Sequence, residues 1–270
     1  MMIIERIDFQ TNEFLFLKLK IYFCIFFASL IPVIAHAQAD NEIQVYSSPI
    51  TEKGITFVEL HQNYTFEGST YLADKNSAHW VNETVEITRG LGGNFELGFY
   101  TFTGISPYGK FEYLGNHIRP RYTVPASWGW KVGASLSMEI GFIKPDGENK
   151  YVMDGELRPI IDKTIGKVYL GFNPNIGFVF TGPDKHAEIE PQFKSYYNFH
   201  NKFGLGIEYY SSLGTFSKIE TINYQEHILG PMFNLLSSPN WELETGFLFG
   251  LTPNSNQKIF KLLIGRRIGG

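Results

Sequence analysis

Hydrophobic and polar residues alternate with a period of two along most of the chain beyond residue 40. Between residues 130 and 142 the even positions are Trp130, Val132, Ala134, Leu136, Met138, Ile140 and Phe142, and the odd ones are Lys131, Gly133, Ser135, Ser137, Glu139 and Gly141. A strand turns successive side chains to opposite faces, so this segment carries one oily face and one polar face. Thirteen residues tilted by about 40° cover roughly 30 Å along a membrane normal, enough for an apolar band of about 25 Å and its interface aromatics. The same alternation recurs in residues 55–66, 79–89, 95–100, 111–124, 153–163, 167–178, 187–197, 203–213, 225–235, 242–251 and 260–264, so twelve strands are expected.

The connections set their direction. Short ones fall at residues 90–93, 125–129, 164–166, 198–202 and 237–240, and longer ones at 67–78, 103–110, 144–151 and 214–224. Strands that follow the short turns begin at Phe95, Trp130, Lys167, Phe203 and Trp241, at intervals of 35, 37, 36 and 38 residues. That is a hairpin repeat. Its expected product is an all-β fold, a transmembrane antiparallel up-and-down barrel with short periplasmic turns and longer external loops. Phe95, Trp130, Phe203 and Trp241 would then form an aromatic girdle at the periplasmic interface. A soluble β-sandwich has the same alternation, but its usual strands of five or six residues need shorter apolar faces than these. Pro120, Pro159, Pro174, Pro191 and Pro231 fall inside the expected strands with the parity of the apolar face. Each removes a ladder donor that lipid cannot replace, so they mark either bulges or segments that are not regular strands.

Before residue 40 the pattern changes. Lys18 and Lys20 precede an apolar stretch, residues 21–34, that ends in Ala35-His36-Ala37-Gln38-Ala39. This reads as a secretory signal peptide, residues 1–39, removed after export; the stretch is shorter than the roughly 20 residues a membrane-spanning helix needs. Residues 40–53 are expected to be a periplasmic segment leading into the barrel, residues 54–268.

Composition narrows the chemistry. Aromatic residues make up 16% of the chain and it holds 27 glycines, which suits strands and tight turns. A formal net charge of −4 argues against nucleic acid as a partner. The single cysteine, Cys24, lies in the apolar stretch, so disulfides and Cys-based zinc sites are excluded from the exported chain. No cofactor and no metal site is expected.

Several short motifs resemble those of a known family. They are Glu42-Ile43-Gln44-Val45-Tyr46-Ser47-Ser48-Pro49 with Glu52-Lys53-Gly54 and Asn63-Tyr64, the hairpin start Gly93-Asn94-Phe95-Glu96-Leu97-Gly98-Phe99-Tyr100, and the strand centres His117-Ile118-Arg119-Pro120-Arg121, Glu156-Leu157-Arg158-Pro159 and Glu188-Ile189-Glu190-Pro191. The family is the bacterial outer-membrane barrels labelled "MetA-pathway of phenol degradation", and the resemblance covers residues 42–268. It implies a porin-like barrel of a Gram-negative outer membrane, in contact with its lipids, inserted by the barrel-insertion machinery and passing small molecules. It supplies no catalytic residues. Ile268 stands where such barrels usually end in an aromatic residue.

With the apolar parity toward lipid, the opposite parity lines the lumen. The expected lining is Glu59, His61, Glu96, His117, Arg119, Arg121, Lys131, Glu139, Asp154, Glu156, Arg158, Lys167, Glu188, Glu190, Lys194, Glu208, Glu242, Glu244 and Lys261, with Asn63, Tyr100 and Asn173. These charges support a passage for small solutes, in which the row His117, Arg119, Arg121 faces the acidic rows of Asp154, Glu156, Glu188 and Glu190. They also support a plugged structural or adhesive barrel in which the same charges pair, since twelve strands fall between filled eight-stranded and open sixteen-stranded barrels. An enzyme is not expected. His61, His79, His117, His186, His200 and His227 lie in no nucleophile motif, and neither Gly-x-Ser-x-Gly nor His-Glu-x-x-His occurs.

Overall fold

In a computed structural model of the chain, residues 42–71, 77–145, 150–199, 202–235 and 238–269 are described. The signal-peptide reading of residues 1–39 and the position of His200 lie outside them. The strands are β1 (Thr56–Glu67), β2 (Val81–Gly92), β3 (Phe95–Ile105), β4 (Phe111–Thr123), β5 (Gly133–Ile143), β6 (Val152–Ile165), β7 (Val168–Val179), β8 (His186–Phe199), β9 (Phe203–Ser212), the two-residue β10 (Gly214–Thr215) and β11 (Lys218–Ile219), β12 (Glu226–Leu235), β13 (Trp241–Gly250) and β14 (Lys258–Ile268). Twelve of them pair antiparallel with their neighbours, and β1 closes on β14 from Thr56↔Ile268 to Glu67↔Lys258. Closure leaves the twelve wall strands without a free edge, which is the condition for crossing hydrocarbon with strands. The extra hairpin β10–β11 rests on β8 outside the barrel order.

Period two explains the wall. Leu136, Met138, Ile140 and Phe142 of β5 are exposed, Met138 at 55%, while Ser135, Ser137 and Glu139 between them are buried. The same division holds in β3, where Leu97 and Phe99 are exposed and Glu96 and Tyr100 buried. Among the described residues no second sheet covers the exposed apolar band, so the fold is a closed barrel rather than a sandwich and its wall is lipid-facing. Connection lengths are less regular than the sequence suggests. The β3–β4 loop shrinks to residues 106–110 because both strands run on to Ile105 and Phe111. At the opposite end, residues 124–132 form a longer turn around the 3-10 segment Ala126–Trp128, closed by Gly129 at φ 69. That turn delays β5 to Gly133 and leaves Trp130 outside the strand.

The five prolines lie in regular strands without bulges beside them. Pro120 pairs with Leu97, Pro159 with Leu136, Pro174 with Pro191 and Pro231 with Ile207. Their cost falls on the other side of each strand. Extending the β6–β7 register from Leu157↔Ile176 and Ile161↔Phe172 sets Pro159 opposite Pro174, and the ladder is interrupted there because neither can donate. The β4–β5 and β12–β13 ladders break in the same way beside Pro120 and Pro231. Pro174→Val restores one donor toward β6 and is expected to stabilise the folded barrel by about 0.5–1.5 kcal/mol. The measurement is the urea midpoint in lipid vesicles; an unchanged midpoint would show that something other than the lost donor holds β6 and β7 apart.

The largest departure from expectation is at the N-terminus. Part of the segment expected to be periplasmic, residues 42–48, runs inside the barrel: Ile43, Gln44, Val45, Tyr46 and Ser48 are all buried, while Pro49, Glu52 and Lys53 are exposed. The segment is an extended strap that rises from the short-turn end, where Lys53 bridges to Gly90 and Gly54 turns the chain into β1 with φ 85. Gly90 permits this approach, since a Cβ there would lie 2.0 Å from the Glu52 carbonyl oxygen.

Candidate functional site

The strap has two faces, and the lumen matches them. Ile43 and Val45 pack against Tyr196, Tyr210, Ile228, Met232, Leu248 and Ile259, inward-facing residues of β8, β9 and β12–β14. One side of the interior is therefore apolar. This corrects the expectation of a uniformly polar lining: β13 and β14 place Leu248, Ile259 and Leu263 inside as well as Glu244 and Lys261.

The even residues of the strap meet the polar side. The Tyr46 backbone N–H donates to Asn173 Oδ1 at 2.7 Å, and Asn173 Nδ2 donates back to the Tyr46 carbonyl at 3.1 Å. The Tyr46 hydroxyl reaches Glu42 at 2.5 Å, Tyr100 at 2.8 Å and Glu86 at 3.1 Å. Its ring is surrounded by the guanidinium groups of Arg158, Arg119 and Arg121, at 4.3, 5.1 and 5.5 Å from the centroid. Cations over an aromatic face are attracted by its quadrupole, the more so when withdrawn from water. Further down, Ser48 donates to Asp162 from both its N–H and its hydroxyl, and Thr51 N–H donates to Glu96 at 2.6 Å. Arg121 donates to the carbonyls of Ser47 and Pro49.

The wall charges pair among themselves. Arg119 bridges Glu86 and Glu96, the latter at 2.9 Å. His117 sits between Asp154 at 2.8 Å and Glu139 at 3.4 Å. Arg158 binds Glu156 through two nitrogens, and Lys261 binds Glu244 and Glu208 at 2.5 and 2.7 Å. The basic row on β4 thus turns its arginines mainly toward β2 and β3, and only His117 reaches the acidic row of β6.

Most of the expected lining residues are buried inside the barrel: Glu59, His61, Glu96, His117, Arg119, Arg121, Glu139, Asp154, Glu156, Arg158, Glu188, Glu190, Lys194, Glu208, Glu244 and Lys261. Lys131 and Lys167 are exposed and Glu242 only half-buried, which is a correction. Lys131 is exposed in the β4–β5 connection, and Lys167 is exposed at the β6–β7 turn with its ammonium 5.9 Å from the Tyr197 ring. Lys131 stands two residues before β5 and Lys167 one residue before β7, so neither lies in the paired register in which inward parity holds. Glu242 is half-buried near the rim and accepts from Arg267 at 3.1 Å. Of the aromatic positions, Phe95, Trp130 and Trp241 are exposed at the short-turn end, while Phe203 is half-buried between Phe199 and Phe233. The sequence reading missed Glu86, Asp162 and the whole strap. A signal was present, because Ile43 and Val45 alternate with Gln44, Tyr46 and Ser48 as in any two-faced extended segment.

Acids outnumber bases in this interior. Among the described residues, eleven Asp and Glu are buried against five Lys and Arg.

A family model described as "MetA-pathway of phenol degradation" matches residues 91–260. The COG4313 outer membrane channel from Pseudomonas putida F1 shares the fold, with a TM-score of 0.57 and 11% identity over 84% of this chain and 100% of that one. The NanC porin is a more distant likeness, with a TM-score of 0.48 and 8% identity over 79% of this chain and 99% of that one. Comparison with curated proteins finds no match.

Proposed function

Since the chain belongs to the "MetA-pathway of phenol degradation" family and closes as a transmembrane barrel, we propose that it is a passive channel or uptake protein for small solutes in a bacterial outer membrane, closed in this conformation by its own N-terminal strap. The observation that carries this reading is the strap itself. Twelve strands enclose more space than wall side chains fill, and here the remainder is taken up by a segment joined to the wall through hydrogen bonds and apolar contacts that can be released together. The excess of buried carboxylates gives the passage a preference for cations. A second reading, a permanently plugged structural or adhesive barrel, is favoured by the completeness of the ion pairing around Arg119 and Lys261. An enzyme is the least supported reading: His117 has both ring nitrogens committed to carboxylates, which leaves neither to activate a nucleophile.

Reconstitution into planar bilayers tests the proposal. In a salt gradient the reversal potential is expected to show cation preference; anion preference would remove the charge argument. Absence of conductance and of solute leakage from liposomes, with folding shown by heat-modifiable gel migration and with the strap deleted as well as present, would overturn the channel reading in favour of the plugged barrel.

A further inference from the structure

The geometry points to a metal site: we propose that Glu42, His61 and Glu86 bind one divalent transition-metal ion, with zinc the best match, and that this ion clasps the strap to the barrel wall. The site stands on its own geometry; only the clasp rests on the reading of the strap as a closure.

One donor atom from each of the three residues lies within 4.8 Å of the other two. His61 supplies the independent observation. It is 1% exposed, and neither Nδ1 nor Nε2 has a hydrogen-bond partner. An imidazole withdrawn from water with both nitrogens unsatisfied is costly. Its Nε2 stops 3.7 Å from Glu86 Oε2, too far for a hydrogen bond. That separation suits two donors that each stand about 2.0–2.2 Å from a common ion.

The carboxylates are already oriented toward the same point. Glu86 Oε1 is taken by Arg119 and by Thr88, which leaves Oε2 facing His61. The Tyr46 hydroxyl spans Glu42 Oε1 and Glu86 Oε2 and holds the two side chains in mutual reach. Such outer contacts normally fix the ligands of a metal site. One imidazole with two carboxylates is a borderline donor set that suits zinc, whereas magnesium and calcium favour oxygen throughout. Charge agrees: buried acids exceed buried bases, and Arg119 divides its charge between Glu86 and Glu96. A divalent ion would offset part of the remaining excess.

The three ligands come from different parts of the fold. His61 and Glu86 belong to the paired strands β1 and β2, whereas Glu42 is on the strap. The ion therefore joins a removable segment to a fixed wall.

The test uses the full exported chain in detergent micelles, stripped with chelator and titrated with Zn²⁺ alone by calorimetry, and with Co²⁺ as an absorbing probe. The expected result is one ion per chain, with Glu42→Gln and His61→Gln each raising the dissociation constant at least tenfold. No saturable binding, or binding unchanged in Glu42→Gln, would overturn the site. Glu42→Gln alters only the strap, so it decides the matter even where His61→Gln fails to fold. In bilayers, Zn²⁺ is expected to lower channel opening in the parent and to leave Glu42→Gln unaffected. Zinc that binds without altering conductance in a barrel that conducts would overturn the clasp, while a barrel that binds zinc and never conducts would overturn the channel reading and leave the site standing.

Discussion

Deleting residues 42–53 is expected to raise single-channel conductance several-fold. The strap occupies the lumen from the short-turn rim, where Lys53 meets Gly90, to the level of His61 and Glu86, about halfway along β1 and β2. Its removal strips Ile43 and Val45 from the apolar side and frees Asp162, Asn173, Tyr100 and Arg121 on the polar side. Those polar groups exchange strap contacts for water, and water in the lumen is what carries ions. The wall itself loses no strand and no ladder, so the barrel should still fold and show heat-modifiable migration. A deletion variant that folds and conducts no better than the intact chain would mean that the occlusion lies elsewhere.

Arg119→Ala is expected to lower the unfolding free energy by roughly 3–5 kcal/mol, the range for removing one partner of a buried ion pair. Arg119 is 2% exposed and serves two carboxylates, Glu86 and Glu96, as well as the Thr88 hydroxyl at 3.1 Å and the rings of Tyr46 and Tyr100. Without it Glu86 loses its guanidinium partner and Glu96 keeps only Arg121, at 3.5 Å. Urea unfolding in lipid vesicles measures the loss. A loss under about 1 kcal/mol, the scale of a solvent-exposed pair, would show that water already screens this cluster. The same pairing limits what Arg119 and Arg121 can do for a permeating solute: they are engaged with Glu86, Glu96 and the strap carbonyls, so replacing them disturbs the closure before it changes selectivity.

Much of this architecture was readable one segment at a time. Residues 95–100, 130–142 and 167–178 announce strands because alternation follows directly from the pleat, whatever the segment packs against. The errors at Lys131 and Lys167 fall where strands end, since a turn breaks the parity that local reasoning extends. Leu248, Ile259 and Leu263 were assigned no inward role because an apolar residue at an inward position looks the same in sequence as an irregularity of pattern. The prolines were legible as lost donors, but their harmless side was not: which neighbour loses its bond depends on register, and register is a property of two strands.

The chain by itself determined the strands, their number, their up-and-down order and the side of each that faces lipid, because these depend on neighbours two residues away and on turns a few residues long. Only the tertiary structure decided that residues 42–48 enter the lumen, that Arg119 serves Glu86 rather than the acids of β6 and β8, and that His61 stands beside Glu42. Those outcomes depend on the diameter at which twelve strands close and on contacts between residues far apart in sequence, and no local pattern encodes a distance across a barrel.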